Sequence, residues 1–306
     1  MPVTRPDDSE YVCHGVTWAT GNPRLLLAPL PNGPLVYAEI MNQRLGFATG
    51  TGRWCTGRYR FVDTVRVEAV ACPDRAPAGE SGQCRRCFSQ DEFRFAHQYH
   101  RDGNVPEALR RYMDQPHWLY LATFADGATK VGTAAGPRKR SRLNEQGAVF
   151  ATYLAESPDG RTVRYLEDAI TRDLRMPQTV RAASKLKALV NMTDLTAASA
   201  THDQHVARLT AALATMDTPA VLEKWVPPAE GGRMRAASGA RVLYPHDLRA
   251  GEHGFTIVAC VGTQVLAVLG ADDEVDYVLD LGSLKGCRIT LGPFESPAVA
   301  VQNSLF

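Results

Sequence analysis

Hydrophobic and polar positions alternate in short runs through residues 1–70, and Asn-Gly, Pro and Gly break the runs apart. "RLLLAPL", "PLVYAEI", "RLGFATG" and "RFVDTVRVEAV" each read as a strand between turn residues, and "VRVEAVAC" alternates well enough to be half-buried. Residues 72–90 lose the alternation and read as a cysteine-bearing loop, and "VPEALRRYMDQ" (105–115) reads as a short helix with Pro106 near its first turn. A hairpin follows: "HWLYLATF", a turn at Asp126-Gly127, then "ATKVGTA". Pro137 opens a helix that Gly147 closes, and "AVFATYLAE" alternates as a third strand. Val163, Leu166, Ile170 and Leu174 then recur at spacings of three and four, which predicts an amphipathic helix.

The order through this middle stretch is ββαβα. Residues 181–225 predict two helices, "PPAEGG" a linker, and the chain from Gly239 onward strands again. The fold class is therefore α+β, divided into a β-rich region (1–112), the α+β unit (113–180), a helical segment with linker (181–232) and a C-terminal β region (233–306). The two terminal β regions are expected to pack together around the middle.

Charge sharpens this picture. The net charge is only +1, but residues 53–142 hold 16 Lys+Arg against 10 Asp+Glu, while both flanks are acidic. A basic surplus confined to the middle suits an anionic partner there. Only six of the 34 basic residues are Lys, so the choice of Arg reflects overall usage and carries no argument. No apolar run reaches the roughly 18 residues that a membrane span needs. The first residues lack a basic-then-apolar leader pattern, so a cytoplasmic chain is expected. In that compartment the seven cysteines are candidates for metal or burial, not disulfides.

Cys55, Cys72, Cys84 and Cys87 lie within 33 residues, and Cys84-x₂-Cys87 has the usual spacing of a zinc half-site. Cys55 and Cys72 would complete a zinc-ribbon-like structural site, although Arg58 stands where a second knuckle would want Cys. The loop between Cys72 and Cys84 has little apolar content to order it otherwise. His97 and His100 are reserve ligands. Cys13, Cys260 and Cys287 sit in apolar runs and are expected in the core. Arg85, Arg86 and Arg94, with Tyr99 and His100, could extend a nucleic-acid surface, with rings for bases and guanidinium groups for phosphates. No HExxH, P-loop, G-x-S-x-G or Rossmann fingerprint occurs, and His202 and His205 are expected on a helix surface.

The ββαβα unit resembles the GIY-YIG nuclease domain. "WLY" matches the first motif and supplies Tyr120. "KVG" matches the second and keeps Gly132, with Lys130 where that family has a second Tyr. Arg142 (with Arg140 as the alternative) matches the helix arginine, and "LEDAI" supplies Glu167. Trp118 replaces the first Gly, and no Asn follows at the usual place after Pro177. The chain as a whole also looks like an uncharacterised bacterial and archaeal family of unknown function with cysteines before this unit.

The resemblance implies a Mg²⁺-dependent phosphodiesterase acting on DNA or RNA. Tyr120 would orient or deprotonate water, Arg142 would clamp the phosphate, and Glu167 would hold Mg²⁺. Lys130, Lys139 and Arg140 would supply the field that lowers the phenol's pKa, and Arg138, Lys139 and Arg140 would meet the backbone. Each residue also has a plainer use. Tyr120 could be a packed aromatic, Lys130 a guard at a sheet edge, Arg138 to Arg142 a solvated run, and Glu167 the partner of Arg164 or Arg172. The sequence thus leaves open a nuclease, a non-catalytic nucleic-acid-binding protein, and a small-molecule enzyme on the same fold.

Overall fold

The alternating runs at the two ends of the chain meet in one sheet. The computed structural model describes residues 9–63, 65–96, 99–100, 105–236, 240–270 and 275–299. Its first strands are β1 (Glu10–Thr17), β2 (Arg24–Pro29), β3 (Val36–Glu39), β4 (Arg44–Thr49), β5 (Arg58–Phe61) and β6 (Val67–Val70). Helices α1 (Arg85–Ser89) and α2 (Glu107–Met113) lead into β7 (His117–Thr123) and β8 (Thr129–Ala135). Next come α3 (Lys139–Gln146), β9 (Phe150–Ser157), α4 (Gly160–Leu174), α5 (Ala182–Val190) and α6 (Thr196–Thr215). β10 (Glu223–Lys224) and α7 (Gly232–Arg235) precede β11 (Arg241–Leu243), β12 (Gly251–Val261), β13 (Gln264–Val268), β14 (Asp276–Asp280) and β15 (Arg288–Leu291). The fold is α+β.

Nine strands form the larger sheet, in the order β11-β14-β13-β12-β4-β15-β1-β2-β3. The ends interleave: β4 pairs with β12 on one side and β15 on the other, and β15 also pairs with β1. Every pairing but β11 with β14 is antiparallel, and the core between them includes Trp18, Phe47, Phe255 and Tyr277. Trp18 ties the two ends further, its indole N–H donating to the Gly262 carbonyl at 2.8 Å.

The smaller sheet has the order β10-β9-β7-β8, so the first hairpin strand is central and β8 is an edge. The hairpin closes as Asp126-Gly127 predicts, with Gly127 at φ 80° and Phe124 N–H donating to Ala128 O at 2.8 Å. Alternation then sets the two faces. Leu119, Leu121, Val131 and Leu154 pack with Val163 and Ile170 of α4 and Leu209 and Leu213 of α6. Tyr120, Ala122, Ala134 and Tyr153 point the other way, toward Leu143 of α3 and Trp225. Asp159 caps α4, its carboxylate accepting from Thr162 N–H at 2.7 Å. Helix α5 joins the sheets by packing Leu189 with Ala259, Leu266 and Val278 of the larger one.

Candidate functional site

Two groupings of reactive side chains stand out, and the first is sulfur. Cys55, Cys72, Cys84 and Cys87 bring their Sγ atoms within 4.8 Å of one another. Cys84 caps α1, Cys72 Sγ lies 3.9 Å from Cys84 Sγ, and a tetrahedron with Zn–S arms of ~2.3 Å has edges of about 3.8 Å. Gly57 N–H and Cys84 N–H donate to Cys55 Sγ at 3.3 and 3.1 Å, and Cys87 N–H donates to Cys84 Sγ at 3.5 Å, the pattern of amides turned toward thiolates. Gly57 takes φ 72°, and a β-carbon there would overlap the Val70 carbonyl, so the turn tolerates no side chain. The four residues could hold a metal ion. Of the reserve histidines, His100 bonds Asp168 at 2.9 Å instead, and His97 lies outside the described residues. Cys13, Cys260 and Cys287 are buried in the larger sheet's core.

The second grouping lies on the smaller sheet. Tyr120 and Gly132 face each other across β7 and β8, and Lys130 opposes Ala122 on the same side. Tyr120 is 0 % exposed, and its hydroxyl is buried without a hydrogen-bond partner. Lys130, 7 % exposed, holds its Nζ 6.0 Å from the Tyr120 ring centre and makes no hydrogen bond or ion pair among the described residues. Glu167 takes a place in the apolar stripe of α4 between Val163 and Ile170; it is 3 % exposed and paired with Arg164 at 2.6 Å. Arg142, its side chain 37 % exposed, is the accessible edge of the group.

Their charges act on one another. Burial pushes the Lys130 amine down to about 7, and Arg142, Lys185 and Arg164 push the same way while Glu167 alone opposes them. Lys185 is held down at about 8 by burial and by Arg142; its Nζ donates to Gln146 O at 2.7 Å and lies 4.6 Å from the Phe124 ring centre. Burial raises the Tyr120 phenol, with Arg142 and Arg164 pulling it down and Glu167 pushing it up. Glu167 is paired with Arg164, Arg142 lies 3.9 Å from Glu145, and Asp280 eases Lys185, so the unrelieved member of the group is the buried Lys130 amine, whose charge costs folding energy unless an anion joins it.

Gly132 is part of this construction. A β-carbon there would overlap the Tyr120 phenol, so the ring lies flush on the neighbouring strand. Gly132→Ala is expected to cost about 1–3 kcal/mol through overpacking. Urea unfolding checks it, and a loss under about half a kcal/mol would mean that the phenol does not rest on this glycine.

The remaining predicted residues divide. Lys139 is enclosed by aromatic rings, 3.2 Å from the Trp118 ring centre and 4.3 Å from that of Tyr153, and is paired with Glu223. Arg138 is paired with Glu145 at 2.7 Å, whereas Arg140 is exposed. Arg85 is exposed and Arg86 bonds Asp74 at 2.9 Å. Tyr99 and His100 are buried against α2 and α4 and offer no open ring faces; Tyr99 bonds Asp114 at 3.3 Å. Lys130 sits on an edge strand but is buried, so it guards no edge. His202, expected on a surface, is buried between the hydroxyls of Thr123 and Thr152 at 2.8 and 2.9 Å, while His205 is half-buried. Arg172 pairs with Asp173, leaving Glu167 to Arg164. Sequence reading missed Lys185 altogether, since an isolated Lys in an Ala/Leu-rich helix carries no signal of what it faces.

A family profile matches residues 69–227 and is described as a protein of unknown function, DUF2797; the chain belongs to that family. The matched stretch includes Cys72, Cys84 and Cys87 and every member of the cationic group. No curated protein and no solved structure matches the chain.

Proposed function

We propose that the chain acts on nucleic acid, gripping a backbone phosphate with Lys130, Arg142, Arg164 and Lys185, and that its ββαβα unit works as a GIY-YIG-like phosphodiesterase stapled by structural Zn²⁺ on the four thiolates. One observation carries the reading: a buried amine, Lys130, and a buried phenol, Tyr120, share one face of the smaller sheet, and the charges of Arg142, Lys185 and Arg164 push on the amine against Glu167. Phosphate answers that imbalance, and Arg142 at the accessible edge offers the planar fork that suits it. Lys130, buried beside Tyr120 and with its amine near neutrality, would accept the proton of the attacking water. Tyr120 would position that water through its buried hydroxyl, on which Arg142 also acts. Glu167 is the carboxylate that would hold Mg²⁺, whose charge would stabilise the leaving oxygen.

A second reading draws on the Arg164–Glu167 pair. A carboxylate already held by a guanidinium at 2.6 Å among further cations favours binding without cleavage. One assay separates the two: Mg²⁺-dependent cleavage of single-stranded, branched and damaged DNA and of RNA, with Glu167→Ala and Arg142→Ala. For the enzyme, Glu167→Ala abolishes cleavage, a loss of at least ~10²-fold, with binding kept. Salt-sensitive binding without cleavage gives the second reading, and neither binding nor cleavage refutes both.

A further inference from the structure

The cysteine-bearing segment and the larger sheet line an open cavity of about 660 Å³, within the range of roughly 300–1,000 Å³ typical of ligand pockets. Its walls include His14, Arg53, Trp54, Tyr59, Arg94 and Lys285. Neither Arg53 nor Lys285 has an acidic partner among the described residues, and Arg94 rests over Phe95 with its guanidinium 4.3 Å from the ring centre. Of the two acids on the walls, Asp91 already accepts from Tyr59 N–H, Gln83 Nε2 and Phe93 N–H, and Glu80 is exposed. His14 Nε2 is buried and has no hydrogen-bond partner. Burial, with Lys285 and Arg75, pushes this imidazole down to about 4, so it is neutral near pH 7 and offers a ring nitrogen to a ligand.

Rings, unpaired cations and an unused neutral nitrogen are the parts that hold a base and its phosphates. The cavity also reaches toward the smaller sheet: Phe93 on its wall packs on Tyr112 with ring centres 5.6 Å apart, and Tyr112 packs at 6.0 Å on His117 of β7, the strand that carries Tyr120. The base faces of a duplex are stacked and closed to such rings, so only an unpaired strand could use them. We propose that this cavity holds a single-stranded segment of the nucleic acid whose phosphate sits at Arg142, with a base against Trp54 and Tyr59 and its phosphates against Arg53 and Lys285. The inference rests on the nucleic-acid reading above and names its substrate as single-stranded.

The test is fluorescence-anisotropy titration of a labelled 12-nucleotide DNA, the same sequence as RNA, and the blunt DNA duplex. Wild type, Trp54→Leu, Arg53→Glu/Lys285→Glu and Arg142→Ala are compared, each with zinc content measured as a check on folding. Both cavity variants are expected to lose roughly 10–100-fold in affinity for one or both single strands and under about twofold for duplex. The double variant changes exposed side chains only, so it stands if Trp54→Leu misfolds. Unchanged single-strand affinity in the cavity variants, with Arg142→Ala still weakened, overturns the inference and leaves the phosphate site standing. Equal losses on duplex and single strand also overturn it. Failure of wild type to bind any of the three removes the nucleic-acid reading and the inference together.

Discussion

Chelation under reducing conditions is expected to release one zinc per chain and to unfold the loops that carry the four cysteines, between Cys55 and Cys87, while the larger sheet persists. The reason is the poverty of apolar packing around the sulfurs, in contrast to Phe61, Val67, Phe93 and Phe95, which pack with Leu109, Tyr112 and Met113. Around Cys55, Cys72 and Cys87 the buried cluster gains only Ala76 and Cys84, so no large apolar side chain holds the Cys72–Cys84 loop. Hydrophobic burial cannot offset the entropy of ordering such a loop, about 1–2 kcal/mol per residue. Four thiolates on one Zn²⁺ can, since structural zinc contributes an apparent ~10–16 kcal/mol in small domains. The larger sheet has its own core of Trp18, Phe47, Phe255 and Tyr277 and does not depend on the metal. Elemental analysis gives the stoichiometry, and hydrogen exchange before and after chelation locates the loss. Cys84→Ser should behave like the chelated protein. Protein purified in reductant with less than about half an equivalent of zinc would remove the four-thiolate site.

The same contrast shows what the sequence disclosed. The hairpin was legible because Asp126-Gly127 supplies the φ > 0 turn that the return strand needs. The α4 stripe was legible because Val163 and Ile170 repeat at helical spacing, and Glu167 announced itself by sitting beside it. The cysteine set was legible from Cys84-x₂-Cys87 and the apolar poverty of the loop before it. Periodicity, however, reports that a face is apolar and not what covers it. Nothing in "HDQHVARL" says that His202 will bridge Thr123 and Thr152, 79 and 50 residues away. Nothing in "GPRKRSRL" tells Lys139, enclosed by Trp118 and Tyr153, from the exposed Arg140. That β4 slots between β12 and β15 is a long-range register choice, made by burial on the common face and written in no local motif.

Replacing Lys130 with methionine is expected to stabilise the protein at neutral pH and to cripple anion binding. The folded-state pKa, about 7, lies below the 10.5 of an unperturbed lysine, so between these values the unfolded chain carries the proton and the folded chain does not. Stability therefore rises with pH across that window. Below about 7 both states are protonated, and the full cost of a buried cation among Arg142, Lys185 and Arg164 is present. A gap of that size corresponds to about 5 kcal/mol at most, an upper bound once side-chain relaxation is allowed. Lys130→Met, close in shape and uncharged, should recover most of it at pH 6.5 and little at pH 10.5. Lys185, held at about 8, adds a slope of the same sign, and losing the Lys130 charge eases it, so the difference between the two proteins reports the interacting pair. Urea unfolding across this range measures that difference, and a pH-independent gap between the two proteins would refute the assignment. Inorganic phosphate supplies the functional half of the argument. An anion at the corner favours the protonated amine, so phosphate should stabilise wild type more at pH 6.5 than at pH 9.5, and Lys130→Met should lose most of that contrast. If cleavage occurs, kcat/KM should instead rise as pH passes through about 7, because the base must be the free amine, and kcat should rise at higher pH because bound phosphate holds the proton. Opposite pH trends for binding and for turnover would then come from one lysine, whose burial among cations weakens the fold and makes it useful at the phosphate.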